Sequence, residues 1–154
     1  MRRGLNFLLL IMKTTRFTKI YAKYTRKAMN ENEISKIIFD MGLKVHKILG
    51  PGLLESAYEE CMYYELTRTG LYIEKQKPMP LIYDEVKLDV GYRIDIMVER
   101  KVVIEVKSVD ALNDIHLAQV LTYLKLSKCK LGLLINFNTL LFKNGIKRVI
   151  NGNI

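Results

Sequence analysis

The 154-residue sequence has few of the residues that build metal or disulfide scaffolds: two cysteines and two histidines. Cys61 and Cys129 are far apart and form no CxxC or Cys/His spacing, so the sequence lacks the soft ligands of a zinc site. We expect both thiols to be reduced and buried, as in a cytoplasmic protein. The largely apolar run from Leu5 to Met12 is too short to span a bilayer, and no small-residue cleavage site follows it. The sequence therefore gives no reason to expect a membrane protein.

The positive charge is concentrated at the N-terminus. The whole chain carries 25 basic and 16 acidic residues, a formal net charge of +9. Residues 1–28 hold eight of the basic residues and no acidic residue. The remaining 17 basic and 16 acidic residues give the rest of the chain a net charge of +1, which is close to neutral. The high overall charge is therefore a weak argument for nucleic-acid binding by the folded part.

Residues 1–28 form a basic N-terminal extension that needs its own interpretation. Three interpretations remain open: a tail that touches phosphates or anionic lipid, a transit peptide, or an upstream extension of the reading frame. We favour the last, with the functional protein starting at Met29. Residues 29–154 are then expected to form one domain, because that length suits a single hydrophobic core.

The spacing of apolar residues predicts a mixed α/β (α+β) domain. Asn30 and the acidic residues after it suit a helix N-terminus, and Gly50-Pro51-Gly52 ends that helix. A second helix is predicted from about Leu53 to Gly70. A third helix is predicted over 113–127, and strands over 71–75, 79–83, 88–98, 102–107, 131–137, 139–142 and 146–150. Two helices and four strands therefore precede the third predicted helix, and the remaining strands follow it.

A predicted hairpin in the middle of the chain carries charged residues in an apolar setting. Glu105 and Lys107 are two apart in the strand over 102–107, so their side chains share a face. A buried carboxylate and ammonium are costly unless they are paired or bound to an ion. With a loop over 99–101, Asp95 falls opposite Glu105, at a Cβ separation of about 4.5–5.5 Å. A hard divalent ion, Mg²⁺ or Mn²⁺, would relieve the repulsion between the two carboxylates.

An internal salt bridge is the alternative interpretation of this hairpin. Lys107 would neutralise Glu105, and Asp95 would be partly exposed. On this pattern alone the salt bridge is the better interpretation, because such spacings are common by chance. A functional site needs further polar residues that the fold brings to the same place.

Two further features supply such residues. On the third predicted helix, His116, Gln119 and Tyr123 form a polar stripe at i, i+3 and i+7 that can cover the carboxylates. Glu55 stands three residues beyond Gly52 at the start of the second helix. Each has a simpler interpretation. Gln119 and Tyr123 suit a buried hydrogen-bonded pair, Glu55 a solvated residue favoured by the helix dipole, and His116 a surface histidine.

Four motifs stand in order along the chain: Gly52-Leu-Leu-Glu55-Ser-Ala-Tyr58, Tyr92-Arg93-Ile94-Asp95, Glu105-Val106-Lys107 and Gln119-Val-Leu-Thr-Tyr123. The first matches the GxxExxY signature of a family of small proteins in the PD-(D/E)XK nuclease superfamily. The others fall where that superfamily places its D, ExK and QxxxY motifs. From about Asn30 to Ile150 the sequence therefore resembles a GxxExxY family protein. The resemblance implies a restriction-endonuclease-like fold, in which helices flank a mixed central sheet.

The resemblance also implies a metal centre. Asp95 and Glu105 resemble the superfamily's metal ligands, with Mg²⁺ or Mn²⁺ as the cofactor. Glu55 resembles the helical acidic residue that completes or supports the metal shell. These roles agree with the physical argument, because a bound metal lowers the pKa of a coordinated water.

The other motif residues would act on the substrate or support those that do. By the resemblance, Lys107 stabilises the phosphate charge or orients the attacking water, and Gln119 positions Lys107 or a phosphate. Tyr123 would support these groups from behind. His116 is not a fixed part of the pattern, and it would support them or contact substrate. Tyr58 is expected to pack the second helix on the sheet.

The expected function is Mg²⁺-dependent hydrolysis of phosphodiester bonds in DNA or RNA. The alternative is a non-catalytic nuclease-fold module that binds a partner or regulates it, with a homodimer as one form. The intact acidic and lysine positions favour the enzyme. The near-neutral charge after residue 28 and the lack of a broad basic or aromatic stripe favour the module, or a substrate that a partner delivers.

Overall fold

The computed structural model describes residues 28–154, apart from the side chain of Val90. The interpretations of the basic extension fall outside these residues. The main elements are α1 (Glu31–Leu49), α2 (Glu55–Arg68), β1 (Ile73–Tyr83), β2 (Val86–Val98), β3 (Val102–Lys107), α3 (Asp114–Ser127), β4 (Leu131–Asn136) and β5 (Ile146–Ile150). A short 3-10 helix, Phe142–Gly145, precedes β5. Among the helices described, none has the length and hydropathy needed to cross a bilayer.

The start of α1 follows from its sequence, as predicted. The Asn30 side chain accepts a hydrogen bond from the Glu33 amide at 2.9 Å, and the Glu33 side chain accepts one from the Asn30 amide at 2.9 Å. This reciprocal capping box satisfies two amide groups that the first helical turn would otherwise leave free. The helix ends at Gly50, whose φ of 66° lies in the left-handed region that favours glycine.

In the described part of the chain the sheet has five strands, in the order β1-β2-β3-β4-β5. β3 and β4 are parallel, and the other neighbouring pairs are antiparallel. α3 connects the parallel pair, which is the crossover that such a pair requires. β3 and β4 lie inside the sheet and are apolar along nearly their whole length. That confirms the predicted buried strand, because a strand covered on both faces needs apolar residues at consecutive positions.

Different helices cover the two faces of the sheet. One face packs against α1 and α2 in a cluster we call the α1–α2 core, which includes Ile34, Ile38, Tyr58, Met62, Ile96, Val98, Val102, Ile104 and Val106. The other face packs against α3 in the α3 core, which includes Met79, Ile94, Met97, Val103, Val120, Tyr123, Leu124 and Leu134. Glu105 is two residues from Val103 and therefore faces the α3 side. The predicted mixed central sheet flanked by helices is confirmed.

The two short strands predicted around the prolines are one strand, so this prediction was wrong. β1 runs without a break through Pro78 and Pro80. It lies at the edge of the sheet, where one side of the strand needs no hydrogen-bond partner, and proline is tolerated there. The register of its pairing with β2 shifts between Met79 and Leu81, next to Pro80.

The strand predicted over 139–142 was also wrong, because this segment is a turn that leads into the 3-10 helix. Phe142 is buried and packs so closely on α1 that a Cβ at Gly42 would lie 2.3 Å from its ring. The segment thus places the Phe142 ring against α1. Both cysteines are free, but only Cys129 is buried, and Cys61 is half-buried.

Candidate metal centre

The β2–β3 hairpin has the predicted register. Val98 pairs with Val102 and Ile96 with Ile104, and continuing by one residue sets Asp95 against Glu105. The turn supports this register, because the Lys101 amide donates to the Val98 carbonyl at 3.0 Å. The two residues between them, 99 and 100, have φ values of 53° and 55°, as in the tight turns that suit twisted hairpins.

Backbone pairing between β2 and β3 ends at Ile96 and Ile104, and the Asp95 side chain provides the next hydrogen bond between these strands. Its Oδ2 atom accepts a hydrogen bond from the Val106 amide of β3 at 2.9 Å. The carboxylate is therefore turned toward β3. Burial raises the pKa of Asp95 to about 6, although the Val106 amide opposes the rise; the charge of Glu59 adds to it.

Glu105 is buried in the middle of the sheet, with 2% of its surface exposed. Its Oε1 atom accepts a hydrogen bond from Lys107 Nζ at 2.7 Å. Within residues 28–154, its Oε2 atom is buried and has no hydrogen-bond partner. Burial, followed by repulsion from Asp95, raises the pKa of Glu105 to about 7, and Lys107 only partly offsets this. Lys107 thus balances the negative charge at Oε1 of Glu105, and no positive charge does so at Oε2 in the described part of the chain.

Lys107 lies between two glutamates. Its Nζ is 2.7 Å from Glu105 Oε1 and 3.8 Å from Glu55 Oε1. Burial acts to lower the pKa of Lys107, but the ion pair with Glu105 and the charges of Glu55 and Asp95 together outweigh burial and raise it. The salt bridge of the alternative interpretation therefore exists. It neutralises one Glu105 oxygen and leaves the other without a partner, so it does not account for the whole arrangement.

The position of Glu55 depends on Tyr58, one turn later in α2. The Tyr58 ring stacks on Phe137 at a centroid distance of 4.5 Å, as expected for a residue that packs α2 on the sheet. Its hydroxyl donates to the Gly50 carbonyl at 2.6 Å and accepts from the Leu53 amide at 3.1 Å. These bonds tie the loop before α2 to the helix. Glu55 consequently begins its helix beside the end of β3.

The polar stripe on α3 is a hydrogen-bonded pair beside the carboxylates. Gln119 Nε2 donates to the Tyr123 hydroxyl at 3.2 Å. Tyr123 is 5% exposed. Burial raises its pKa, and the negative charges of Glu105 and Asp95 contribute to the rise. Over residues 28–154 no hydrogen bond joins Gln119 to Lys107, so that predicted contact is not formed in this state.

His116 lies at the beginning of α3 and caps the helix. Its Nδ1 atom accepts a hydrogen bond from the Asn113 amide at 3.2 Å, and its own amide donates to the Asn113 side chain at 3.1 Å. This is a second reciprocal cap, formed by Asn and His. The position of the stripe along α3 follows from where this cap starts the helix.

Two residues near Asp95 were not predicted from the sequence as part of the candidate metal centre. Glu59 stands one turn after Glu55 on α2, and that i, i+4 spacing is the signal that could have found it. Gln76 of β1 donates from Nε2 to Glu59 Oε1 at 2.7 Å and to Asp95 Oδ1 at 3.4 Å. No sequence signal pointed to Gln76, because its segment was predicted as a break between two strands.

Asp95 and Glu105 fit a divalent cation by their chemistry. Both are carboxylates with raised pKa values, and a buried oxygen of Glu105 lacks a partner. Oxygen is the donor that Mg²⁺ and Mn²⁺ prefer. In the described part of the chain, no three His, Cys, Asp or Glu side chains are grouped closely enough to enclose a metal. Two carboxylates suffice for Mg²⁺, which keeps several waters and also binds substrate phosphates. Glu55 as a third ligand stays a prediction.

Comparison with protein-family models identifies the superfamily. The family model described as the PD-(D/E)XK nuclease superfamily matches residues 32–149. The match covers all but the first residue of α1, all but the last residue of β5, and every residue discussed at the centre. A search of curated proteins finds no match, and a search of solved structures finds none. The chain belongs to the PD-(D/E)XK nuclease superfamily.

Proposed function

We propose that this protein is a metal-dependent nuclease, of the GxxExxY type, that hydrolyses phosphodiester bonds in DNA or RNA. The observation that carries the proposal is the buried Glu105 Oε2 atom next to Asp95, which has no hydrogen-bond partner among the residues that the structure describes. A buried carboxylate with a free oxygen and a second carboxylate next to it is unfavourable for the fold alone. The same pair is useful to a protein that binds a cation there. Asp95 and Glu105 would hold Mg²⁺ or Mn²⁺, with Glu55 in support.

Lys107 would supply the positive charge that phosphodiester hydrolysis needs beside the metal. Its ammonium group has three N–H donors, and the hydrogen bond to Glu105 at 2.7 Å uses one of them. The remaining donors can bind a non-bridging phosphate oxygen or orient the attacking water. Its raised pKa keeps the group charged at neutral pH. A bound divalent ion supplies neutralisation of phosphate charge and a more acidic water.

Gln119 and Tyr123 complete the α3 side of the centre. Tyr123 holds the Gln119 amide at 3.2 Å, so the amide has a defined direction near the carboxylates. Its oxygen and second N–H remain for a phosphate or for Lys107 once substrate is bound. His116 would fix the start of α3 through its cap and would contact substrate at the same end of the helix.

A cleavage assay tests the proposal. Single- and double-stranded DNA and RNA are incubated with the protein and Mg²⁺ or Mn²⁺, beside the variants Glu105→Gln and Lys107→Ala. Both variants should lose at least 99% of the rate, because each removes a charge that the transition state needs. Equal activity in all three preparations would identify a contaminating nuclease and would refute the assignment.

The near-neutral charge of the domain favours a second candidate, a non-catalytic module that binds a partner and acts as a homodimer or with another protein. Residues 29–154 carry a net charge of only +1. A nuclease that binds nucleic acid unaided gains most of its affinity from basic residues. Comparing the full chain with a version that starts at Met29 locates nucleic-acid binding, because loss of retention would assign that binding to the extension. Binding without cleavage in every substrate would favour the module.

A further inference from the structure

Gln76 lies opposite Asp95 in the β1–β2 hairpin, where the regular pairing is interrupted. The flanking pairs are Lys75 with Ile96 and Lys77 with Ile94. Between them, Gln76 has a φ of 50°, in the left-handed region that residues other than glycine rarely adopt. The hairpin therefore contains an irregular step directly at one of the candidate metal ligands.

This irregular step changes which face of the sheet the strands present. Ile96 packs in the α1–α2 core, whereas Ile94 packs in the α3 core. Residues two apart in a regular strand face the same side. β1 shows the same change, since Ile73 packs against the α1–α2 core and Met79 lies in the α3 core. The switch occurs at Gln76 and Asp95, so the direction of the Asp95 side chain depends on this bend.

The Gln76 amide contacts two carboxylates. Its Nε2 atom has two N–H donors, and it lies 2.7 Å from Glu59 Oε1 and 3.4 Å from Asp95 Oδ1. The other Asp95 oxygen accepts from the Val106 amide at 2.9 Å. The Asp95 carboxylate is thus held from β1 at one oxygen and from β3 at the other. Two contacts on different oxygens define the plane of the group.

We propose that Gln76, anchored by Glu59, is a positioning residue that fixes the orientation of the Asp95 carboxylate. The proposal rests on the nuclease function for its consequence, which is the affinity of the centre for a divalent ion. Glycine would adopt the Gln76 backbone conformation more easily, so the contribution specific to glutamine is its amide. Removing a residue that orients a metal ligand typically weakens metal binding by 10- to 100-fold.

Two measurements on Gln76→Gly test this role. The first is hydrogen exchange of the Val106 amide in the metal-free protein, which reports whether Asp95 still accepts that bond. We expect exchange at least tenfold faster. The second is Mn²⁺ binding by calorimetry without nucleic acid, with an expected affinity loss of about tenfold. Asp84→Gly is the matched control, because Asp84 has a φ of 55° at the tip of the same hairpin. It should change neither quantity.

Variants at Glu59 test the same role without changing the residue at position 76, whose backbone has a positive φ. Glu59→Ala removes the anchor and should reproduce part of both effects, whereas Glu59→Gln keeps an acceptor and should resemble the parent. If Gln76→Gly and Glu59→Ala match the parent in both measurements, the positioning role is wrong. If the parent itself binds no Mn²⁺, the proposed nuclease function fails instead. The Val106 measurement still decides the role of Gln76 in that case, because it needs no ion.

Discussion

Glu105→Gln should stabilise the metal-free protein at pH 7.5 and have little effect at pH 5. Burial raises the pKa of Glu105 from its ordinary value of 4.5 to about 7 in the folded protein. Between these values the folded protein holds a proton that the unfolded chain has released. The free energy of unfolding therefore falls as pH rises through this window. At about 1.4 kcal/mol per pH unit, ionising Glu105 costs the fold about 3 kcal/mol by pH 7.5.

Glutamine removes this cost and keeps an oxygen that can accept from Lys107. Unfolding in urea is measured at pH 5 and pH 7.5 in the presence of a chelator, for the parent and for Glu105→Gln. Part of the cost is already present at pH 5, so ionisation of Glu105 should cost the parent about 2 kcal/mol between the two pH values. The variant should lose less stability than the parent by about that amount. Glu85→Gln is the control, because Glu85 is exposed at the end of the β1–β2 hairpin. The reasoning is refuted if parent and variant show the same pH dependence.

Three further outcomes follow from the same geometry. Mn²⁺ at 100 times its dissociation constant should raise the stability of the parent at pH 7.5 by about 2.7 kcal/mol and that of Glu105→Gln far less, in urea melts with and without metal. Lys107→Ala should lower cleavage by about 100-fold or more while Lys147→Ala, at an exposed position on β5, leaves the rate unchanged in the same assay. Tyr58→Phe should cost about 1–3 kcal/mol in thermal or urea unfolding, because the Gly50 carbonyl and the Leu53 amide lose their partner; an unchanged midpoint would contradict the loop-tying role.

The parts of the fold that could be predicted are those governed by short-range rules. Asn30 and Glu33 form a cap because their spacing brings each side chain to the other's amide. The approach of Asp95 to Glu105 followed from a period of two residues and a three-residue loop, which together leave one register. In both cases the interacting residues are near in sequence, so few alternatives compete.

The parts that could not be predicted depend on partners distant in sequence. Pro78 and Pro80 indicate a break unless the strand is known to lie at an edge, and only the assembled sheet shows that. Gln76 reaches the centre because β1 pairs with β2 and because Glu59 lies on the adjacent helix. A left-handed φ at glutamine has no signature in the sequence, in contrast to glycine.

Backbone pairing between β2 and β3 ends at Ile96 and Ile104. From there the sheet divides like a fork into two prongs of two strands each. Beyond that point β1 and β2 continue together as one prong, and β3 and β4 continue as the other. Asp95 and Glu105 lie on opposite prongs at the base, and the bond from the Val106 amide to Asp95 spans the gap. The distance between the two carboxylates therefore depends on the angle between the prongs. A ligand held by both carboxylates would stiffen the fork, and a force that spreads the prongs would weaken binding without altering a single ligand.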